Sequence, residues 1–465
     1  MKILVIGLDA AAPEILLGDD RLATIRSLME VGCYGRLESV VPPASEPAWM
    51  CLATGQDPGS LGVYGSRNRT DRSYKAPGSI DARSIQAPAI WDRVAESGGR
   101  SILVGVPPDH PPRPVNGIAV GGLFTPDATE GAYTHPPELA ATIEKLVGTY
   151  PVDAGGLRSD DEAALRDQIL DASRKQFALV RHLIENEPWD YFQLVETGLD
   201  RIQRAFWRHH DPEHVLHTPD SPFADVVRDY YLHLDGELAT VLDLLTEDTL
   251  VLVVSAHGAR RPDGGFRLDE WLVREGLLAL KPDPEQATPA ADLDVDWGRT
   301  RAWSEAGDSA AVFLNVKGRE PEGTIDPADY ESFHDELKAR LEAVAGPDGE
   351  PLGALVFKPE EVYQTVRNVA PDLIVDFGGL DGCNPAQHGA FILASPQLPP
   401  FGEIEGARLL DVAPTLLELA GHPPLPDAPG RNLLQGLKPA DSDDAPPIDD
   451  DELVRDRLRG LGYIG

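Results

Sequence analysis

Five positions place side chains able to move a proton or hold a cation at the ends of apolar runs. Asp9 follows the run Lys2–Leu8, and Asp200 follows Glu196-Thr197-Gly198-Leu199. His257 sits in Val254-Ser255-Ala256-His257-Gly258, straight after Leu250-Val251-Leu252-Val253. His388 lies in Asn384-Pro385-Ala386-Gln387-His388-Gly389. Ser45 stands in Pro42-Pro43-Ala44-Ser45-Glu46-Pro47-Ala48-Trp49, before a short helix expected through Ala53. Pro47 suits the first turn of that helix, and the positive end of its dipole favours an anion beside the serine. Carboxylates and imidazoles are oxygen and nitrogen donors for a divalent cation, and a serine beside such a centre becomes a stronger nucleophile. The chemistry this set can do is metal-assisted attack on phosphorus. Each residue also has an ordinary alternative. Asp9, Ser45 and Asp200 can cap helices, and a histidine after a strand is commonly a structural hydrogen-bonder. A metal centre would want a carboxylate beside His257, where Ala256 has no ligand atom. His209, His210, His214 and His217 fall in polar helix ends or loops and read as surface. Pro212 interrupts the pair His210/His214.

The elements that must position these residues alternate in type. Strands are expected at Lys2–Leu8, Ser101–Val106, Tyr191–Val195, Leu250–Ser255, Ala311–Val316 and Asp372–Phe377. Helices are expected at Leu22–Val31, Ile90–Ser97, Asp160–Glu187 (one long or two in tandem), Asp200–His209, Phe223–Leu245 and Leu410–Ala420. This alternation predicts an α/β fold, a mainly parallel sheet sandwiched between helices, with inserted loops or a small cap. Open sheets of this kind build their sites at the carboxyl ends of the strands, where Asp9 and His257 would lie. One domain is expected over residues 1–440, with insertions at about 107–135, 281–300 and 317–365; the last contains an amphipathic helix at Tyr330–Ala345. Residues 441–465 read as an acidic linker and a short helix, Glu452–Leu461, docked on the domain or serving as an interaction tail. There is no internal repeat.

Bulk properties exclude several classes. Of 465 residues, 41 are Lys or Arg and 77 are Asp or Glu, a formal charge of −36. Such a surface repels nucleic acid polymers and anionic membranes, and an anionic substrate would need local positive charge or metal. No apolar run approaches a membrane span, and Met1–Gly7 reads as a first core strand, so a cytoplasmic protein is expected. Cys33, Cys51 and Cys383 have no pairwise spacing, which argues against a disulfide framework or a zinc ribbon.

The chain resembles the alkaline phosphatase superfamily, in its type I phosphodiesterase/nucleotide pyrophosphatase branch. The resemblance runs through Gly7-Leu8-Asp9, Ser45–Trp49, Ala53-Thr54-Gly55-Gln56-Asp57-Pro58-Gly59 and Gly62-Val63-Tyr64-Gly65. It continues through Val195–Ile202, Phe206-Trp207-Arg208, Val254–Gly258 with Asp263-Gly264-Gly265, Ala386–Gly389 and Leu410–Thr415. Such a family implies a site for two divalent metals (zinc, manganese or magnesium) and a covalent intermediate that water hydrolyses. By position it implies Ser45 as nucleophile and metal ligand. Asp9 and His257 would be ligands of the metal that activates it; Asp200 and His388 would be ligands of the second. Arg67, Asn68 and Arg69 would be substrate contacts, or else residues of the rim.

The sequence departs from that pattern at two ligand positions. The family has Asp before the histidine where Ala256 stands, and His where Arg204 stands four residues after Asp200. Arginine stays protonated and cannot coordinate, but it brings a fixed positive charge, so Arg204 is a candidate catalytic residue. Leu61 also stands where relatives often carry His. The expectation is therefore a phosphoester hydrolase or transferase with one, or weakly held, metal and a small phosphorylated or other tetrahedral-anion substrate. The alternative is a catalytically degenerate relative that binds anions or acts as a scaffold.

Overall fold

A computed structural model describes residues 1–122, 125, 132–152, 161–262, 264–281, 294–305, 310–346, 349–378 and 385–439. The tail expected at 441–465 lies outside these, as do Asp263, Cys383, Asn384 and parts of the 107–135 and 281–300 segments.

Among the described residues the framework is a ten-stranded sheet. Its centre is a run of parallel strands in the order Thr249–Val254, Lys2–Leu8, Tyr191–Glu196, Ser101–Val104 and Gly117–Val120. His388–Ala394 runs antiparallel between Thr249–Val254 and Cys33–Glu38. That reversal matters for the site. The first residue of an antiparallel strand lies at the same sheet edge as the carboxyl ends of its neighbours.

Alternation of side chains across the sheet sorts the core into two layers. Leu4, Ile6 and Leu8 point into one, with the helices Ala23–Val31, Glu162–Asn186, Gly198–His210 and Val226–Leu242. Ile3 and Val5 point into the other, with Ser45–Thr54, Ile90–Glu96 and Val412–Ala420. The longest helix forms because Leu165, Ile169, Phe177, Val180, Leu183 and Ile184 recur on one buried face. The side chain of Asp161 caps it by accepting from the Ala164 amide. Among the described residues no helix is long and apolar enough to cross a membrane.

One expectation about sheet membership is corrected. The strands read at Ala311–Val316 and Asp372–Phe377 are Ala310–Leu314 and Leu373–Asp376, and they do not extend the parallel sheet. They pair antiparallel in a separate four-stranded sheet with Ala302–Glu305 and Leu355–Phe357. Leu272, Trp303, Phe313, Leu337 and Leu373 form its own core. Apolar runs mark strands but leave their partners open, and here the two strands pair with each other and with two short neighbours. The Tyr74 ring, from a loop of the main unit, stacks on Trp297 at 3.8 Å.

Gly7 lets the main core close over Trp49, which is fully buried. A Cβ at Gly7 would stand 2.5 Å from the Trp49 ring and 3.0 Å from the Leu194 carbonyl. Gly7→Ala should therefore cost about 1–3 kcal/mol by overpacking, read as a lower urea midpoint; an unchanged midpoint would show that the indole yields freely. Cys33 and Cys51 are buried thiols. Burial pushes the Cys33 thiol up to about 12 and Cys51 well above its ordinary value. Neither should be alkylated by iodoacetamide until the chain is unfolded, which peptide mass spectrometry would read.

Candidate active site

Ser45 is the first residue of its helix, and its hydroxyl does not cap it: the N-cap is Ala44, with no side-chain capping bond. The hydroxyl faces Asp9 and His257 instead. Ser45 Oγ lies 3.0 Å from Asp9 Oδ2 and 2.9 Å from His257 Nε2. Strand register explains the meeting. Gly7 is paired with Val254 in adjacent parallel strands, so the turns carrying Asp9 and His257 leave the sheet side by side. Trp49 is one helical turn beyond Ser45, and its indole N–H donates to Asp9 Oδ1 at 2.9 Å.

His257 Nδ1 lies 2.9 Å from the Gly258 carbonyl. A carbonyl can only accept, so Nδ1 carries a proton and Nε2 is the nitrogen turned to the serine. Asp9 Oδ1 is 3.6 Å from that nitrogen. Burial drives the Asp9 carboxyl above its ordinary pKa; the positive charge available at His257 opposes this, and the Asp200 charge reinforces it.

Asp200 occupies the first turn of the Gly198–His210 helix, and its side chain turns to Arg204. Arg204 Nε stands 2.8 Å from both carboxylate oxygens. The pair is largely buried, with side chains 20% and 12% exposed. The N-terminus of that helix is fixed by Glu196, a fully buried carboxylate that accepts from the Gly198 and Leu199 amides and the Tyr230 hydroxyl. Burial also raises the Glu196 pKa.

His388 begins its strand at the same edge, half-buried. Its carbonyl lies where a Cβ on Gly258 would clash at 2.1 Å, and Gly389 is equally close to the Ser255 carbonyl. Only glycines let the His257 and His388 turns pass this closely. Ala256 is fully buried in the core and adds no donor. Among the described residues no group of three or more His, Cys, Asp or Glu side chains converges as a metal site.

The three rim candidates divide. Asn68 is tied into its own turn, accepting from the Tyr64 amide and donating to the Gly65 carbonyl, both at 2.7 Å. Arg69 is buried over the Trp303 and Phe313 rings, at 5.0 and 4.8 Å, and bonds the Ser73 carbonyl. Arg67 is exposed and bonds the Pro77 carbonyl. Leu61 packs partly buried against the core. Two histidines expected at the surface are buried: His209, between Glu162 and Ser221, and His214. Their partners come from distant chain segments or tight turns, which helix-end polarity does not reveal. Trp49 and Glu196 escaped the sequence reading of the site. Trp49 had a signal, since it shares a helix face with Ser45 four residues on.

The sequence profile described as type I phosphodiesterase / nucleotide pyrophosphatase matches residues 3–378. No curated protein sequence matches the chain significantly. Among solved structures, the phosphonoacetate hydrolase of Sinorhizobium meliloti is 16% identical with a TM-score of 0.54, covering 88% of this chain and 93% of its own. Murine ectonucleotide pyrophosphatase / phosphodiesterase 5 is 15% identical with a TM-score of 0.52, covering 92% and 96%. The alkaline phosphatase PafA is 12% identical with a TM-score of 0.58, covering 94% and 98%. At these identities the structures speak for the fold, and the profile speaks for the family. The chain belongs to the type I phosphodiesterase/nucleotide pyrophosphatase family, with an alkaline phosphatase-like fold.

Proposed function

We propose that this protein is a phosphoester hydrolase or transferase in which Ser45 attacks a small phosphorylated, or related tetrahedral-anion, substrate. The observation that carries the reading is the Ser45 hydroxyl held between Asp9 and Nε2 of His257. The serine proton passes to Nε2, and Asp9 steadies the resulting imidazolium through charge. Ser45 Oγ forms a bond to phosphorus as the bond to the leaving oxygen breaks; that oxygen departs with its electron pair and takes a proton from solvent. Water then displaces the serine in a hydrolase, or an acceptor hydroxyl does so in a transferase. With a formal charge of −36 over the chain, an anion needs a fixed local cation, and the guanidinium of Arg204, shared with Asp200, is the candidate. Two solved relatives are described as complexes with phosphonoacetate and with AMP, which supports a small substrate of this class.

The residues do not fit a pair of divalent cations. Asp200 is paired with a guanidinium that stays protonated and cannot coordinate. At the other centre Asp9, His257 and the serine oxygen remain, one carboxylate short at Ala256. These donors suit at most a single weakly held zinc, manganese or magnesium ion, which would lower the serine pKa when bound. A second reading rests on the same ion pair: a relative that keeps the fold as an anion-binding or scaffold protein.

Phosphomonoesters, phosphodiesters and nucleotide pyrophosphates, each with manganese, zinc and magnesium, provide the assay. Ser45→Ala should lower kcat/KM by about 10³-fold or more. Turnover that survives this change rejects the serine, and absence of turnover on every substrate leaves the second reading. Restoring both ligand types, Ala256→Asp with Arg204→His, should raise bound metal measured by elemental analysis. Equal metal content in parent and double variant would show that these positions do not limit uptake.

A further inference from the structure

The chain after Asp9 turns through an unusual conformation. Ala10 has a φ of +60°, in the left-handed region that a residue with a Cβ ordinarily avoids. Something must hold it there, and the Gly198–His210 helix does so. Gln203 Nε2 donates to the Ala10 carbonyl at 2.8 Å. The Tyr231 hydroxyl donates to Gln203 Oε1 at 3.1 Å and accepts from the Ala12 amide at 2.8 Å. The network closes on itself, with Ala10, Gln203 and Tyr231 each no more than 1% exposed.

We infer that Gln203 and Tyr231 are positioning residues that lock the Ala10 turn and thereby aim the Asp9 carboxylate at Ser45. The residue before the locked turn is Asp9 itself. Its amide is fixed by the Glu196 carbonyl at 2.9 Å, so the turn behind it sets the direction of the side chain. Gln203 is also the residue before Arg204, on the helix that carries Asp200. One helix therefore fastens the Asp9 half of the site and presents the charged pair of the other half. The catalytic consequence rests on the serine chemistry proposed above; the positioning does not.

The test follows the indole N–H resonance of Trp49, which reports the Asp9 carboxylate through their hydrogen bond, in ¹⁵N-labelled protein. Trp49→Phe identifies the signal among the seven tryptophans. Gln203→Met keeps size and helix propensity and removes the donor; Tyr231→Phe is the second variant should the first not fold. Either should shift the Trp49 resonance by more than its line width. Adding Ala10→Gly, which has no penalty for a left-handed turn, should bring it back toward the parent position. A role in packing alone would give no rescue by glycine. A resonance unmoved in both variants, or moved and not restored by Ala10→Gly, overturns the inference. Where turnover is present, kcat should fall about 10- to 100-fold in Gln203→Met, with KM little changed and recovery in the glycine background. If no substrate is turned over, the resonance still decides the positioning, so the two readings fail separately.

Discussion

One hydroxyl faces a buried carboxylate and a buried imidazole where Ser45 meets Asp9 and His257, and the rest of the site is arranged around that meeting. His257 Nδ1 is committed to the Gly258 carbonyl, which turns Nε2 to the serine. Asp9 can only accept while ionised, and burial makes ionisation costly. The Trp49 indole offsets part of this by donating to the carboxylate. What is left is demand for positive charge, met by a proton moving to the imidazole or by a cation beside it. In the proposed function that demand favours loss of the serine proton.

The second half of the site meets the same demand in a different way. A carboxylate at Asp200 close enough to act on Asp9 would add to the negative charge at the sheet edge. Arg204, one helical turn away, neutralises it with a permanent cation. Arginine brings charge and directed donors without coordination chemistry; in the proposed function it would hold substrate oxygens without the ligand exchange that a metal permits. In the proposed function the two departures from the family pattern act together. Ala256 removes a negative ligand on one side, and Arg204 adds a positive group on the other.

The sheet edge and the elements meeting there were largely legible in the chain. Apolar runs ending in Asp9 and His257 read as parallel strands, and those strands do carry the residues to one edge. The long helices fell within a few residues of their expected bounds, because amphipathic spacing and a capping Asp161 mark them. Sheet membership was less legible. Ala310–Leu314 and Leu373–Asp376 carry the same apolar signature as the parallel strands and belong to another sheet, since pairing depends on partners that a local pattern does not name. Arg69 shows the same limit for side chains: its sequence position fits a rim contact, and the Trp303 and Phe313 rings bury it.

The sequence by itself determined the fold class, the family and the identity of the groups that could do chemistry, because these follow from periodicity and from motifs of fixed residue type. It also determined that Ala256 and Arg204 cannot be ligands, which is a property of the side chains alone. Tertiary structure decided what those groups face. Whether Ser45 caps its helix or turns to Asp9, which nitrogen of His257 faces the serine, and that Asp200 is spent on Arg204 depend on distances of about 3 Å that the chain's own order does not fix. Hydrogen bonds and ion pairs of that length are set by strand register and helix placement, which only the packed fold supplies.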